Sequence, residues 1–298
     1  MKLLRFFTCL AAITGMVMGS SMLAYAGPTP AEYGVVLNLS GKQRMLSQKM
    51  SKEVALVALN VDAEKNIQNL AATSALFDKT LKGLKDGDAS LGLPATESKR
   101  IIRQLDKVSD IWAEFYPVIQ EVVSSKSVSK EQLDTIAKNN LPLLKQMNKA
   151  VGLYEKDAKK TGLSSAPGLA ATLNLSGKQR MLSQKMSKEF FLIALGYEVE
   201  DNKLNLLETY SLFDRTLKGL KDGDETLGLP GTKPEHIRKQ LDVVNGLWQD
   251  FKPLVEAGSS HSSSGASPEQ VTQIANLNLP LLKEMNAAVQ LYEAEAAK

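Results

Sequence analysis

Apolar residues recur along most of the chain at the three- and four-residue spacing of amphipathic helices. In the first half this spacing predicts four helices, over about residues 31–60, 63–85, 96–124 and 129–159. Turn signals such as Gly87 and Gly92-Leu93-Pro94 separate the segments. Alternation of β-branched residues is nowhere sustained, so the sequence predicts an all-α protein of antiparallel four-helix bundles.

The helical pattern occurs twice. Residues 37–53 return without a change at 173–189, and an offset of 136 residues also pairs Trp112 with Trp248 and Pro117 with Pro253. A two-residue insertion in the Ser-rich segment 259–267 shifts the offset near the end. We therefore predict two tandem antiparallel four-helix bundles, with domains at 27–162 and 163–298.

Local signals mark the ends and interruptions of these helices. Capping-box spacing appears in Ser129 to Gln132, in Ser267 to Gln270 and in Thr232 to Glu235. Four prolines fall inside helical patterns, where each removes a backbone donor and is expected to kink its helix. They are Pro117, Pro142, Pro253 and Pro280.

The first helix of each copy has two distinct faces when its residues are placed at helical spacing. One face is apolar and fits a bundle core: Val36, Leu39, Leu46, Met50, Val54 and Val57. The opposite face, which we call the seam, follows the spacing of a coiled coil and is small and mixed. The first seam is Leu37, Gly41, Arg44, Gln48, Ser51 and Ala55, and the second is Leu173, Gly177, Arg180, Gln184, Ser187 and Phe191.

A seam built around glycine lets another backbone approach closely. If the two seams face each other, Arg44 and Arg180 meet near a pseudo-twofold axis, where two cations repel unless an anion lies between them. A small planar oxyanion suits two guanidinium groups. Neutral donors could come from Ser47, Ser183, Gln48 and Gln184. The alternative is that both arginines are ordinary exposed residues that improve solubility.

The stretch Asn-Leu-Ser-Gly-Lys-Gln-Arg-Met-Leu-Ser-Gln-Lys-Met, at 38–50 and 174–186, resembles the first-helix signature of PilJ/NarX-like sensor domains. Such domains lie outside the membrane in nitrate and nitrite sensor kinases and in type IV pilus chemotaxis transducers. The resemblance implies a four-helix sensor domain in each copy. It also implies nitrate or nitrite between two first helices, held by Arg44 and Arg180. The other candidate ligand-binding residues on the motif are Gly41, Gly177, Ser47, Ser183, Gln48 and Gln184.

The sequence departs from that family in carrying two domains in one chain without a recognisable transmembrane or signalling part. This leaves two arrangements open, an intramolecular pseudo-dimer with one central site and a homodimer in which each copy pairs with its counterpart. It also leaves a rival function open. The seam could dock a membrane sensor, a chemotaxis transducer or a pilus component with no small ligand.

The first 26 residues have the pattern of a secretory signal peptide. A basic start precedes an apolar run from Phe6 to Met22, and Ala24-Tyr25-Ala26 gives a cleavage site. The run is short for a retained anchor, so we expect a soluble periplasmic or secreted protein. Removal of the leader takes away Cys9 and lowers the formal charge from +3 to +1, which argues against a nucleic-acid surface.

Catalysis and metal binding find little support in the sequence. The mature chain is expected to lack cysteine, and neither copy pairs a nucleophile with a neighbouring base, so we predict a non-enzyme without a cofactor. Asp86 to Ser90 and Asp222 to Thr226 resemble the start of a calcium loop. The sixth position is Leu91 or Leu227 rather than glycine, so we interpret both as plain turns.

Overall fold

The structure is a computed structural model that describes residues 28–160, 168–262 and 265–296. The predicted leader and the predicted boundary between residues 162 and 163 lie outside the described residues. Eight α-helices make up nearly all of the described chain. They are α1 (Pro30–Ala58), α2 (Ala63–Asp86), α3 (Lys99–Ser125), α4 (Lys130–Ala158), α5 (Leu169–Ala194), α6 (Val199–Asp222), α7 (Glu235–Ser259) and α8 (Pro268–Ala296).

The helices form two four-helix bundles that share their first helices as a common centre. In the first bundle each helix packs on the next, and α4 returns to α1; α5 to α8 repeat the plan. Helix α1 packs along α5, and α1 also touches α8 while α5 touches α4. Within the described residues no helix combines the length and apolar character needed to cross a bilayer.

Burial explains why the first helices lack an ordinary solvent face. From Ser40 to Val57 every residue of α1 is buried except Lys42 and Lys49, and α5 repeats this pattern. One side of α1 faces its own bundle and the opposite side faces α5. A helix covered on both sides must place its polar residues inside the protein, which sets up the site described below.

The predicted core residues lie where the periodicity put them. Trp112 packs on Phe77 with ring centroids 4.4 Å apart, and Trp248 packs on Phe213 at 4.6 Å. Met50 and its counterpart in the second copy are fully buried. Each tryptophan also donates to an aspartate of the preceding helix, so the indole N–H is paired. The same core is thus built twice.

Two of the three predicted capping boxes are confirmed. The side-chain oxygens of Ser129 and Ser267 each accept from the backbone N–H three residues later. The side chain of the glutamine at that position accepts from the backbone N–H of the serine. The third was wrong, because the Thr232 hydroxyl donates to Leu220 O at 2.7 Å and α7 begins beyond Pro234. The sequence also missed a capping box at Thr29. Helix α3 begins at Lys99, three residues later than expected.

Candidate functional site

The two seams meet within one chain, and a pair of glycines lies at their closest contact. A Cβ atom placed on Gly41 would lie 3.9 Å from the Cα of Gly177, and the reverse distance is also 3.9 Å. The same position on Gly41 would lie 3.4 Å from Arg44 Nη2 and 3.7 Å from Arg180 Nη2. Both guanidinium groups therefore flank the glycine contact, and larger residues there would push the helices and the arginines apart.

The arginines cross between the copies with near-twofold symmetry. Arg44 Nη2 donates to the backbone oxygen of Asn174 on α5 at 3.1 Å, and Arg180 Nη2 donates to that of Asn38 on α1 at 3.1 Å. Each Nη1 turns to an asparagine of the last helix in its own bundle. Arg44 reaches Asn148 Oδ1 at 3.3 Å and Arg180 reaches Asn286 Oδ1 at 2.9 Å.

Both guanidinium groups are buried and keep unused hydrogen-bonding capacity. Arg44 is 3% exposed and Arg180 is 1% exposed, which rules out the alternative of ordinary surface arginines. Among the described residues neither Nε–H has an acceptor, and neither guanidinium forms an ion pair. Burial lowers the pKa of Arg44 to about 9, with the cation of Arg180 adding to the effect, and it lowers the pKa of Arg180 to about 10. Both groups remain charged at neutral pH.

Two carboxylates lie in the surroundings without pairing directly to the arginines. Glu155 accepts from Asn174 Nδ2 at 2.7 Å, and Glu293 accepts a short bond from Asn38 Nδ2. Their charges act on the arginines electrostatically, Glu155 on Arg44 and Glu293 on Arg180, each favouring the protonated form. Each carboxylate accepts a hydrogen bond from the side chain of an asparagine, and the backbone oxygen of the same asparagine accepts from an arginine. The polar groups around the pair thus form one connected network.

The predicted serine and glutamine donors lie beside the arginines in sequence but bond within their own helices. The Ser47 hydroxyl donates to Arg44 O at 2.9 Å, and Gln48 Nε2 donates to the Ser47 hydroxyl at 3.3 Å. The second copy repeats both bonds. The amide oxygen of each glutamine is buried without a donor among the described residues. None of the hydrogen bonds of these four side chains among the described residues goes to a guanidinium group.

A second layer of crossed contacts lies further along the seam. Lys52 Nζ donates to Asn278 Oδ1 at 2.9 Å, and Lys188 Nζ donates to Asn140 Oδ1 at 3.1 Å, each reaching the other bundle. Asn140 in turn donates to Ser51 Oγ at 2.7 Å. Both lysines are almost completely buried. The sequence analysis missed these lysines and asparagines, although their retention in both copies was a visible signal.

The remaining candidate sites are structural. Asp88 accepts from Ser90 N at 2.8 Å and starts the single-turn 3₁₀ helix Ala89–Leu91, so this segment is the interhelical turn that we expected. His236 and His261 are exposed. No cluster of His, Cys, Asp and Glu side chains that could hold a metal ion occurs in the described ranges. Among the described residues, Arg44 with Arg180 and Lys52 with Lys188 are thus buried cations that bond across to the other copy.

Comparison with known families agrees with this architecture. The profile of the N-terminal part of type IV pili methyl-accepting chemotaxis transducers, the PilJ family, matches residues 33–140 and again residues 162–277. The chain belongs to the PilJ family. The double match confirms the tandem repeat and the pilus-transducer side of the resemblance, while the nitrate-sensor-kinase side stays a prediction. The PilJ family is of the sensor type and is not catalytic.

One characterised relative shares part of this sequence. The methyl-accepting chemotaxis protein McpN of Pseudomonas aeruginosa is 30% identical over 122 residues, which cover 41% of this chain. The match spans 22% of the relative's own length. The similarity therefore concerns a PilJ-type module, a sensor or interaction unit, and not the whole of that transducer.

Proposed function

We propose that this protein binds a small planar oxyanion, with nitrate or nitrite as the leading candidates, between Arg44 and Arg180. The observation that carries the proposal is the pair of buried guanidinium groups beside the Gly41–Gly177 contact, neither of which forms an ion pair with a described residue. Burying one uncompensated cation is costly, and burying two close together adds their repulsion. A monovalent anion between them would offset both terms.

The chemistry of the side chains favours an oxyanion over a spherical ion. A guanidinium is a planar fork of donors that can bind two oxygens at once, and neither Nε–H has an acceptor in the described part of the chain. Asn148 and Asn286 fix the outer nitrogens, so the direction of each fork is set before an anion arrives. Such preorganisation lowers the ordering cost of binding.

We further propose that the protein works in the periplasm and passes its bound state to a membrane-bound sensor or chemotaxis transducer. The signal-peptide pattern supports the compartment, and membership of the PilJ family supports a transducer as the partner. The rival function, in which the seam itself docks the partner, requires the two copies to separate first. The seams already cover each other, so a binding role for the arginine pair needs less rearrangement.

The test is a titration of the full protein with nitrate, nitrite, chloride and sulfate, followed by calorimetry and thermal unfolding. At a hundredfold excess over Kd a ligand that binds only the folded state adds about 2.7 kcal/mol of stability. We expect saturable binding of one planar oxyanion per chain, with weaker effects of chloride and sulfate.

Variants assign the effect to the arginine pair. Arg44→Ala with Arg180→Ala should abolish binding, and the matching double lysine variant should weaken it because lysine keeps the charge but loses the fork. Arg103→Ala removes an exposed arginine of α3 and serves as the control that binds normally. If no small oxyanion shifts the unfolding temperature of the parent protein, or if the double alanine variant responds equally, the proposal is wrong.

A further inference from the structure

A cavity of about 360 Å³ opens at the end of the second bundle, remote in sequence from the seam arginines. Its walls are mostly apolar and come from the start of α5, the α6–α7 connection and the end of α8. They include Leu169, Pro230, Pro234, Ile237 and Tyr292. The volume is within the range of small-molecule sites. Neither the proposed oxyanion site nor the family match accounts for it.

A tyrosine and a threonine form the floor of the cavity, and the first bundle has the corresponding hydrogen-bonded pair. Tyr292 shares a hydrogen bond with Thr232, whose hydroxyl donates to Leu220 O. In the first bundle Tyr154 bonds to Thr96, whose hydroxyl donates to Leu84 O at 2.6 Å. Because the floors match, any difference between the two bundle ends must come from the residues above them.

The decisive difference lies at one position of the duplication. Leu169 lines the cavity, and the residue 136 positions earlier is Tyr33. Tyr33 is partly buried against the core of the first bundle. Burial and the carboxylate of Asp157 raise the pKa of its hydroxyl, while Arg100 opposes them. At this position of the duplication the first bundle thus has the phenol ring of Tyr33, and the second bundle has a leucine.

Gly168, which precedes α5, packs closely against Pro230 in the wall of the cavity. Gly168 adopts a φ of +82°, and a Cβ atom there would lie 2.9 Å from Pro230 Cδ. A larger residue would therefore clash with the wall. Helix α5 begins only at Leu169, whereas α1 begins at Pro30, three residues before Tyr33. Leu169 is therefore the first residue of its helix, whereas Tyr33 is the fourth residue of α1.

We propose that this cavity, lined by Leu169, Pro230, Pro234, Ile237 and Tyr292, binds a small para-substituted phenol in the position that Tyr33 occupies in the first bundle. The ring packs on the apolar wall. Its hydroxyl points to the rim, where Glu295 lines the cavity at the position that corresponds to Asp157. A carboxylate can accept a hydrogen bond from a phenol hydroxyl. This site is independent of the arginine pair.

The probe is 4-methylphenol, the side chain of tyrosine, added to the full protein with labelled isoleucine methyl groups. Ile237 reports the cavity and Ile101 reports the equivalent position in the first bundle. In the parent protein we expect a saturable shift of the Ile237 methyl signal, with a Kd on the order of 1 mM for so small a ligand. The Ile101 signal should not move.

Two reciprocal substitutions give the control. Leu169→Tyr should fill the cavity, keep or raise the unfolding temperature and abolish the shift at Ile237. Tyr33→Leu should open the equivalent space, so that Ile101 also shifts on addition of the probe. The proposal is overturned if Ile237 does not respond up to about 10 mM probe. It is equally overturned if the response survives unchanged in a folded Leu169→Tyr protein.

Discussion

At the scale of single residues, Lys52 and Lys188 are the least expected side chains in the protein. Each is buried and reaches an asparagine of the other bundle, and burial lowers the pKa of both to about 8. Lysine in the unfolded chain titrates near 10.4. The charged form therefore destabilises the folded state at neutral pH, and the crossed hydrogen bonds to Asn278 and Asn140 offset only part of that cost.

This difference predicts an unusual pH dependence of stability. Between about pH 8 and pH 10.4 the unfolded state binds more protons than the folded state at both lysines. The free energy of unfolding should therefore rise with pH, by at most about 1.4 kcal/mol per pH unit for each lysine. Urea unfolding at intervals from pH 7.5 to 9.5 measures the slope. This range ends well below the raised tyrosine pKa values, such as about 12 for Tyr197.

The control pair lies on the outer surface. Replacing Lys52 and Lys188 by methionine should reduce the slope, because two of the titrating groups are gone while the volume is nearly kept. Arg44, whose pKa is lowered by burial to about 9, keeps a part of the slope at the upper end of the range. As the control, the exposed lysines Lys145 and Lys283 are changed to methionine together, and this should leave the slope of stability against pH unchanged. A parent protein whose stability is constant or falls over this pH range would contradict the burial of charged lysines at the interface.

At the scale of helices, α1 and α5 are unusual because two opposite faces of each are covered. The contact between Gly41 and Gly177 permits this close approach. A single methyl group added at Gly41 would lie at about van der Waals distance from its neighbours and would not clash. A single alanine is thus tolerated, and it even removes the helix penalty of glycine. A branched side chain at the same place has no room.

Substitution at two helical glycines tests this contact. Gly41→Leu should destabilise the protein by about 1–3 kcal/mol, because the side chain must displace Gly177 or the guanidinium groups. Gly152→Leu, where an added Cβ meets nothing within 4 Å, should be neutral or stabilise by up to about 1 kcal/mol. Denaturant unfolding compares the two. Equal effects at both positions would show that the helices are not in close contact at Gly41.

The helices and the seams could be read from the sequence because their periodicity is strong and the duplication repeats every signal. The glycine and the arginine of each seam suggested that two first helices pack together, but the sequence left open whether they do so within one chain or between two chains. The partners of the arginines could not be predicted. Asn148 lies on α4 about a hundred residues away, and its rotation depends on packing that no local pattern records. Likewise the sequence shows that Leu169 replaces Tyr33 in the second copy, but only the structure shows that Leu169 lines a cavity.

At the scale of the whole molecule, the two bundles share one continuous core across the α1–α5 contact. Separating them would expose two buried arginines and two buried lysines together with the seams. The bundles should therefore unfold as one cooperative unit rather than as independent domains.

The two tryptophans offer a probe for each bundle. In a Trp248→Phe variant the fluorescence of Trp112 reports the first bundle, and in Trp112→Phe that of Trp248 reports the second. We expect the fluorescence midpoint of each variant in urea to coincide with its own far-ultraviolet circular dichroism midpoint. Separate transitions in either variant would mean that the bundles are stable apart.

The crossed contacts of α1 and α5 also have a consequence for dilution. A site built between two separate chains disappears when their concentration falls below the dissociation constant of the dimer. A covalent connection instead holds the second half at an effective concentration on the order of millimolar. The arginine pair of this protein should thus persist at any abundance. Its two halves, encoded at different positions, are free to acquire different residues one at a time.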